Sequence, residues 1–272
     1  MFNGGIVMKK MIFSKMDDFE EKLFDFKIMF AYHSGKIENN NISYHDTRDI
    51  FDAGRVVSYT GDLKTLYEIQ NQKTCYEYLK PFILERKPLD ISFIKTVHYK
   101  LTKGTYDEYR YNVNKERPGE FKKHDYVTGV HEVGTYPEEV ETELIELLNE
   151  INDESIDNYF LAGVYFHAMF ENIHPFADGN GRVGRTLMNY YFMIHDIAPV
   201  IIYDENKMEY YRSLEMFDIE ENLDDLLEFV EEQQSKTWSK KRKQERKNSL
   251  YDFQEGYSEG EDNQEDQGWC IE

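Results

Sequence analysis

His174-Pro175-Phe176-Ala177-Asp178-Gly179-Asn180-Gly181-Arg182-Val183-Gly184-Arg185 brings a base, a carboxylate, several small backbone positions and two guanidinium groups into one stretch. Apolar spacing on both sides is helical: Phe160, Val164, Phe166 and Phe170 before it, Leu187, Tyr190, Tyr191 and Ile194 after it. The stretch is therefore predicted to be a loop joining a helix that ends near Asn172 to one that begins near Arg182, with Pro175 marking the loop. A helix start offers unpaired N–H groups and the positive end of its dipole to phosphate oxygens. Gly179 and Gly181, with Asn180 between them, let the backbone approach a ligand and form an anion nest. Arg182 and Arg185 are three apart, share a helix face and suit two successive phosphates. Asp178 is a hard oxygen ligand of the kind Mg²⁺ takes. His174 titrates near neutrality at the loop entrance, where it can accept a proton from a hydroxyl. Phe176 reads as an apolar anchor for the loop. Each residue alone has a structural explanation; their order in one segment points to a grip for a nucleoside triphosphate.

Working outward, helical spacing dominates. Ser14-Lys15-Met16-Asp17 is a start signal, and Phe19, Leu23, Phe26 and Phe30 form one stripe of a helix running to about Glu38, with Asn39 as a left-handed stop. Ser43 caps a second helix through Ile50 and Phe51. A third covers Leu63 to Leu84, disturbed by Pro81, and Asp90 caps a fourth carrying Ile91, Ile94, Val97 and Leu101. Between Gly104 and Pro137 the period vanishes, and Tyr126-Val127-Thr128 has strand propensity, so a short hairpin is predicted there. Pro137 is read as opening the next helix, with Val140, Leu144 and Leu148 in register, and Ser155 as capping the one after it. Two more helices start near Asn206 and near Leu223. The resulting division is 1–88 as an N-terminal helical region, 89–203 as the core, 204–248 as C-terminal helices and 249–272 as an acidic tail too polar to offset its ordering entropy.

The 272 residues carry a formal net charge of −21. That charge disfavours contact with nucleic acid or an anionic membrane, and the basic run Lys240-Lys241-Arg242-Lys243 reads as a solvated helix end. Cys75 and Cys270 suggest no disulfide framework, no run approaches a membrane span and no secretory signal is apparent. A cytoplasmic protein without membrane contact is the expectation.

His174 through Arg185 resembles the signature of the Fic family and agrees with it at every specified position. The likeness extends upstream through Gly119-Glu120-Phe121-Lys122 and through the helix bearing His167 and Glu171. It implies an all-α fold, a helical core with a small β-hairpin flap, that transfers AMP from ATP to a Tyr, Thr or Ser hydroxyl of a target protein. On that likeness His174 is the base, Asp178 the Mg²⁺ ligand, Gly179, Asn180 and Gly181 the anion hole, and Arg182 and Arg185 the holders of the β- and γ-phosphates. Flap residues Tyr126, Val127, Thr128 and Gly129 would align the target by strand-like pairing. Asn189 and the pair Tyr210-Tyr211 are candidates for ribose and adenine contacts. Relatives acting as kinases carry lysine at position 181, so Gly181 favours nucleotidyl transfer. Lys122 stands where the family often has arginine, which keeps the charge but loses the planar fork. Self-modification and a homodimer are further implied expectations.

Ser34-Gly35-Lys36-Ile37-Glu38-Asn39 resembles the family's inhibitory motif, placed N-terminal to the core. A carboxylate at Glu38 that reached Arg185 would hold it in charge-assisted hydrogen bonds and deny it to the γ-phosphate. Alternatives stay open at this point: removal of AMP or a bifunctional enzyme, another nucleotide such as UMP, or a non-catalytic ATP-sensing interaction protein. A DNA-binding regulator has no supporting helix-turn-helix segment.

Overall fold

The computed structural model describes residues 9–126 and 134–239, which contain helices, turns and one isolated bridge, with no strand among the described residues. The all-α expectation holds. The predicted hairpin falls largely on residues 127–133, and the tail, the basic run and Cys270 also lie outside the described residues. Met1–Thr237 gather into one compact unit; of the second unit, Trp238–Glu272, only Trp238 and Ser239 are described.

The N-terminal stripe forms two helices, α1 (Met16–Lys22) and α2 (Phe24–Glu38). The expected single helix is interrupted at Leu23, whose backbone leaves the helical region while its side chain is fully buried beside Phe19. Ser14 does not cap α1; its N–H donates instead to the Asp18 carboxylate at 3.2 Å. α2 does end at Glu38, but Asn39 is extended (φ −133°) rather than left-handed. Its side chain explains why, donating to Thr65 Oγ1 at 2.8 Å and to Glu68 Oε2 at 2.7 Å and so pulling the chain away from the helix axis.

Ser43 caps α3 (Tyr44–Ala53), its Oγ accepting from Asp46 N–H at 3.1 Å. Asp62 caps α4 (Leu63–Leu84), which carries Pro81 in its last turn without a break. Asp90 caps α5 (Ile91–Thr102) and buries Ile94, Val97 and Leu101. The stretch without helical period contains a π-helical turn, Tyr109–Val113, that periodicity does not reveal. α6 (Val140–Ile151) starts three residues after Pro137, because Tyr136 C=O first accepts from Glu139 and Val140. Ser155 is not the next cap: Asn158 accepts from Leu161 N–H at 3.1 Å and begins α7 (Tyr159–Ile173). α8 (Asn180–Ile194), a 3₁₀ turn Asp204–Asn206, α9 (Lys207–Glu220) and α10 (Asp224–Trp238) complete the order.

α8 is the axis of the fold. Every residue in it except Gly181 is buried, as expected of a helix surrounded by others. α2, α4, α5 and α7 pack around it. Phe93 meets Tyr190 with ring centroids 4.7 Å apart, and Phe160 stacks on Phe192 at 5.0 Å. Aromatic pairs of this kind add to the area they bury and fix the helix rotationally. The N-terminus of α8, where backbone amides lack intrahelical partners, is thereby held between α2, α5 and the end of α7.

Candidate active site

α7 ends at His174, which caps it in the left-handed region (φ 50°) while its N–H still bonds Phe170 C=O. A following proline disfavours continued helix at this position, and the left-handed turn throws the imidazole out of the helix line. Burial pushes the ring down to about 4, with the Lys122 ammonium adding to the effect and the Glu171 carbonyl opposing it. The imidazole is thus neutral at neutral pH, with a nitrogen free of its proton. Lys122, 3 % exposed, is itself lowered by burial; its backbone N–H donates to Pro175 C=O at 2.9 Å and its Nζ lies 3.4 Å from Ile173 C=O.

The loop is locked from within. The Asn180 amide accepts from Phe176 N–H at 2.9 Å and donates to Phe176 C=O at 2.7 Å. Both its polar groups are consumed by the turn, so α8 begins at Asn180 rather than near Arg182. Gly179 caps it at φ 87°, and a β-carbon there would stand 2.6 Å from Thr102 Cγ2. Phe176, fully buried, stacks on His98 at 3.7 Å. His98 in turn accepts from Gly119 N–H through Nδ1 at 2.8 Å and donates from Nε2 to Asp178 C=O at 3.0 Å. That clamp on the loop was not visible in the sequence, since nothing near His98 marks it.

Asp178 faces cations on three sides. Arg110 pairs with Oδ2, Arg182 Nη2 lies 3.4 Å from Oδ1, and Lys64 contributes at longer range. Burial would raise the carboxyl, but these charges outweigh it and hold it below the usual range. Arg182 also reaches Glu68 at 3.2 Å, and Glu68 continues to Asn39. Arg110 and Glu68 belong to segments remote in sequence, and no local pattern singles them out. An ionised carboxylate beside two guanidinium groups and a helix N-terminus has the chemistry of a Mg²⁺ ligand, since Mg²⁺ commonly takes one or two carboxylates and completes its shell with phosphates and water.

Arg185 is 1 % exposed and reaches into α2. Its Nε donates to Ser34 Oγ at 3.1 Å, and its Nη2 donates to Ser34 C=O at 3.0 Å and Glu38 Oε1 at 2.7 Å. The Glu38 carboxylate rests directly over Gly181, so close that a β-carbon there would push the tip of the glutamate aside. Gly181 therefore provides a bare seat that an anionic group now fills. Tyr210 is buried beneath this arrangement, its hydroxyl 2.8 Å from His167 Nε2 and its ring 5.8 Å from the Arg185 guanidinium. Tyr211 is 41 % exposed beside it.

The structure thus brings His174, Asp178, Gly179, Asn180, Gly181, Arg182, Arg185, Ser34, Glu38 and Tyr210 together. Asn189 stands apart: its amide donates to Val200 C=O at 2.8 Å and accepts from Val200 N–H at 2.6 Å, so neither polar group is available to a nucleotide. Tyr126 donates to Glu116 at 3.1 Å at the edge of the described segment, while Val127, Thr128 and Gly129 lie outside the described residues. No described helix is long and apolar enough to cross a membrane.

Residues 88–192 match the model of the Fic/DOC family. The chain is 29% identical over 207 residues to protein adenylyltransferase fic-1 of Caenorhabditis elegans, covering 74% of this chain and 38% of the relative. It is 27% identical over 190 residues to protein adenylyltransferase Fic of Drosophila persimilis, covering 68% of this chain and 35% of that protein. It therefore spans well under half the length of these relatives. Among solved structures, Fic-1 (residues 134–508) from C. elegans superposes with a TM-score of 0.69 at 24% identity, over 82% of this chain and 64% of that one. A Fic domain containing signaling protein from Bacteroides thetaiotaomicron also gives 0.69, at 26% identity over 81% of this chain and 86% of that one.

Proposed function

Residues 88–192 belong to the Fic/DOC family, and from that premise we propose that the chain transfers AMP from ATP to a hydroxyl of a target protein and is restrained by Glu38. The observation that carries the proposal is the neutral, buried His174 set beside an anion seat at Gly181 and two arginines on the first turns of α8.

In this reading the triphosphate occupies the N-terminus of α8. Unpaired amides there and the two guanidinium groups receive its oxygens. Arg182 and Arg185 hold the β- and γ-phosphates, which leave together as pyrophosphate. His174 accepts the proton of the target hydroxyl as its oxygen bonds to the α-phosphorus and the bond from that phosphorus to the α–β bridging oxygen breaks. Asp178 would hold Mg²⁺, whose chemistry is to neutralise charge on the phosphate oxygens. Tyr210 supports Arg185 from below rather than meeting the base, since its hydroxyl is engaged by His167.

Glu38 is the brake in this scheme. It occupies Gly181's seat and one Nη of Arg185, the same positions a γ-phosphate needs. Incubating the Glu38→Gly protein with α-labelled ATP and Mg²⁺ tests both parts: label should appear on protein, and His174→Ala in that background should remove it. Label that persists without His174, or ATP bound with no product from Glu38→Gly, would overturn the reading. Donor competition by UTP, GTP and CTP identifies the nucleotide.

A further inference from the structure

Two carboxylates, not one, bracket Arg185. Glu38 comes from α2 and lies over Gly181; Glu171 comes from α7 and lies over Gly184, one turn further along α8. At both glycines the carboxylate oxygen sits where a β-carbon would be, so each glycine is a seat for an anionic side chain. The two seats differ in their partners. Glu38 has its hydrogen bond to Arg185, whereas Glu171 Oε1 is buried with none. Two further buried atoms of the same cluster lack a hydrogen bond: Arg185 Nη1 and His167 Nδ1, the latter 3.9 Å from Glu171. Unsatisfied buried polar groups are uncommon and costly, and three in one cluster indicate an arrangement whose other state pairs them.

We infer that Glu171 is a positioning residue: it takes over Arg185 when Glu38 leaves, and holds the guanidinium for the γ-phosphate from the Gly184 side. This deepens the adenylyl-transfer reading and rests on it. Removing Glu38 alone would strand a buried guanidinium on the hydroxyl and carbonyl of Ser34, which a buried charge does not tolerate without a counter-ion. Glu171 is already the next carboxylate to which Arg185 responds. Its position matters as much as its charge. From the Gly184 side it can bind Arg185 while the Gly181 seat and the α8 N-terminus stay open to phosphate.

Electrostatics give the exchange a direction. Burial pushes the Glu171 carboxyl up to about 8; the Arg185 charge opposes this, while Glu38 on α2 and Asp218 on α9 add to it. His167 on its own helix and Tyr210 and Tyr211 on α9 also face it. With Glu38 in place Glu171 is mainly protonated at neutral pH. Departure of Glu38 removes a like charge and frees Arg185, so Glu171 ionises and a proton is released. Opening is therefore favoured as pH rises toward 8.

Glutamine is the isostere of the protonated acid, so it separates a charge role from a packing role. MgATP binding should be measured by calorimetry between pH 6 and 8 for the unsubstituted protein, Glu171→Gln, Glu38→Gly and Glu38→Gly/Glu171→Gln. The double variant should bind about tenfold more weakly than Glu38→Gly, the size of one lost charge-assisted hydrogen bond, and the rise in affinity of the unsubstituted protein with pH should be absent from Glu171→Gln. Glu171→Gln alone should keep its Tm. Equal affinities with the same pH dependence would overturn the inference, and so would a fall in Tm for Glu171→Gln alone accompanied by unchanged affinity. Binding is read independently of transfer: a Glu38→Gly protein that binds MgATP yet labels nothing would defeat the adenylyl-transfer reading and leave this test intact.

Discussion

Arg185 on α8 and Glu38 on α2 are 147 residues apart and meet through a 2.7 Å hydrogen bond from Nη2 to Oε1, with Ser34 taking the Nε of the same guanidinium. Neither side chain could reach the other without the close packing of α2 on α8. The contact lies over Gly181, at the N-terminal end of α8, where phosphate recognition is read to occur.

Glu38→Gly should therefore raise ATP-dependent labelling of protein. A hydrogen bond to a charged group is worth about 1.5–3 kcal/mol, and the gain should be about ten- to a hundredfold in the initial rate with α-labelled ATP. Ser34→Ala should give a smaller gain, because it leaves the carboxylate in place.

The acid behaviour of the fold should be set by histidines held neutral. Burial pushes His174 down to about 4 and His98 and His167 down to about 3, all from an ordinary value of 6.5. Because their folded values are depressed, their stabilisation is fully present above 6.5 and is lost as pH falls through that value toward 3. Denaturant midpoints should accordingly decline from pH 6.5 downward. NMR titration should show His174 protonating far below pH 6, and Lys122→Met should move that transition upward by removing a positive neighbour.

Gly184→Ala should destabilise the protein by about 1–3 kcal/mol through overpacking, because its β-carbon falls on Glu171 Oε1 and 2.9 Å from His167 Nδ1. Thermal unfolding measures this directly. Nucleotide binding should weaken as well, since Arg185 follows in the same turn.

Asn189→Ala should separate stability from binding. It leaves the buried N–H and C=O of Val200 unpaired and should cost about 1–3 kcal/mol for each group left unsatisfied. MgATP affinity of the folded protein, measured in the Glu38→Gly background, should be unchanged, because the Asn189 amide does not face the α8 N-terminus.

Much of this was legible because it is local. The helix–loop–helix around His174, the caps at Ser43 and Asp90, and the pairing of Ser34 with Glu38 on one helix face are all properties of short stretches. Long-range partners were not. Arg110, Glu68 and His98 matter for what they touch, and each comes from a segment whose own sequence gives no reason to single it out. Asn189 misled for a related reason: an amide on a helix near a motif reads the same whether it faces a ligand or closes on Val200. Ser155 misled as a cap because Asn158, three residues on, takes that place, and only packing decides between two such residues.

Because α8 is enclosed along nearly its whole length, its N-terminal end cannot yield without disturbing the core around Tyr190 and Phe192. Control has to be exercised by what is laid upon that end. The two tasks are thus physically separable: substitutions on the outer turns of α2 can retune how readily Arg185 is uncovered, while the groups of α8 beneath them stay in place.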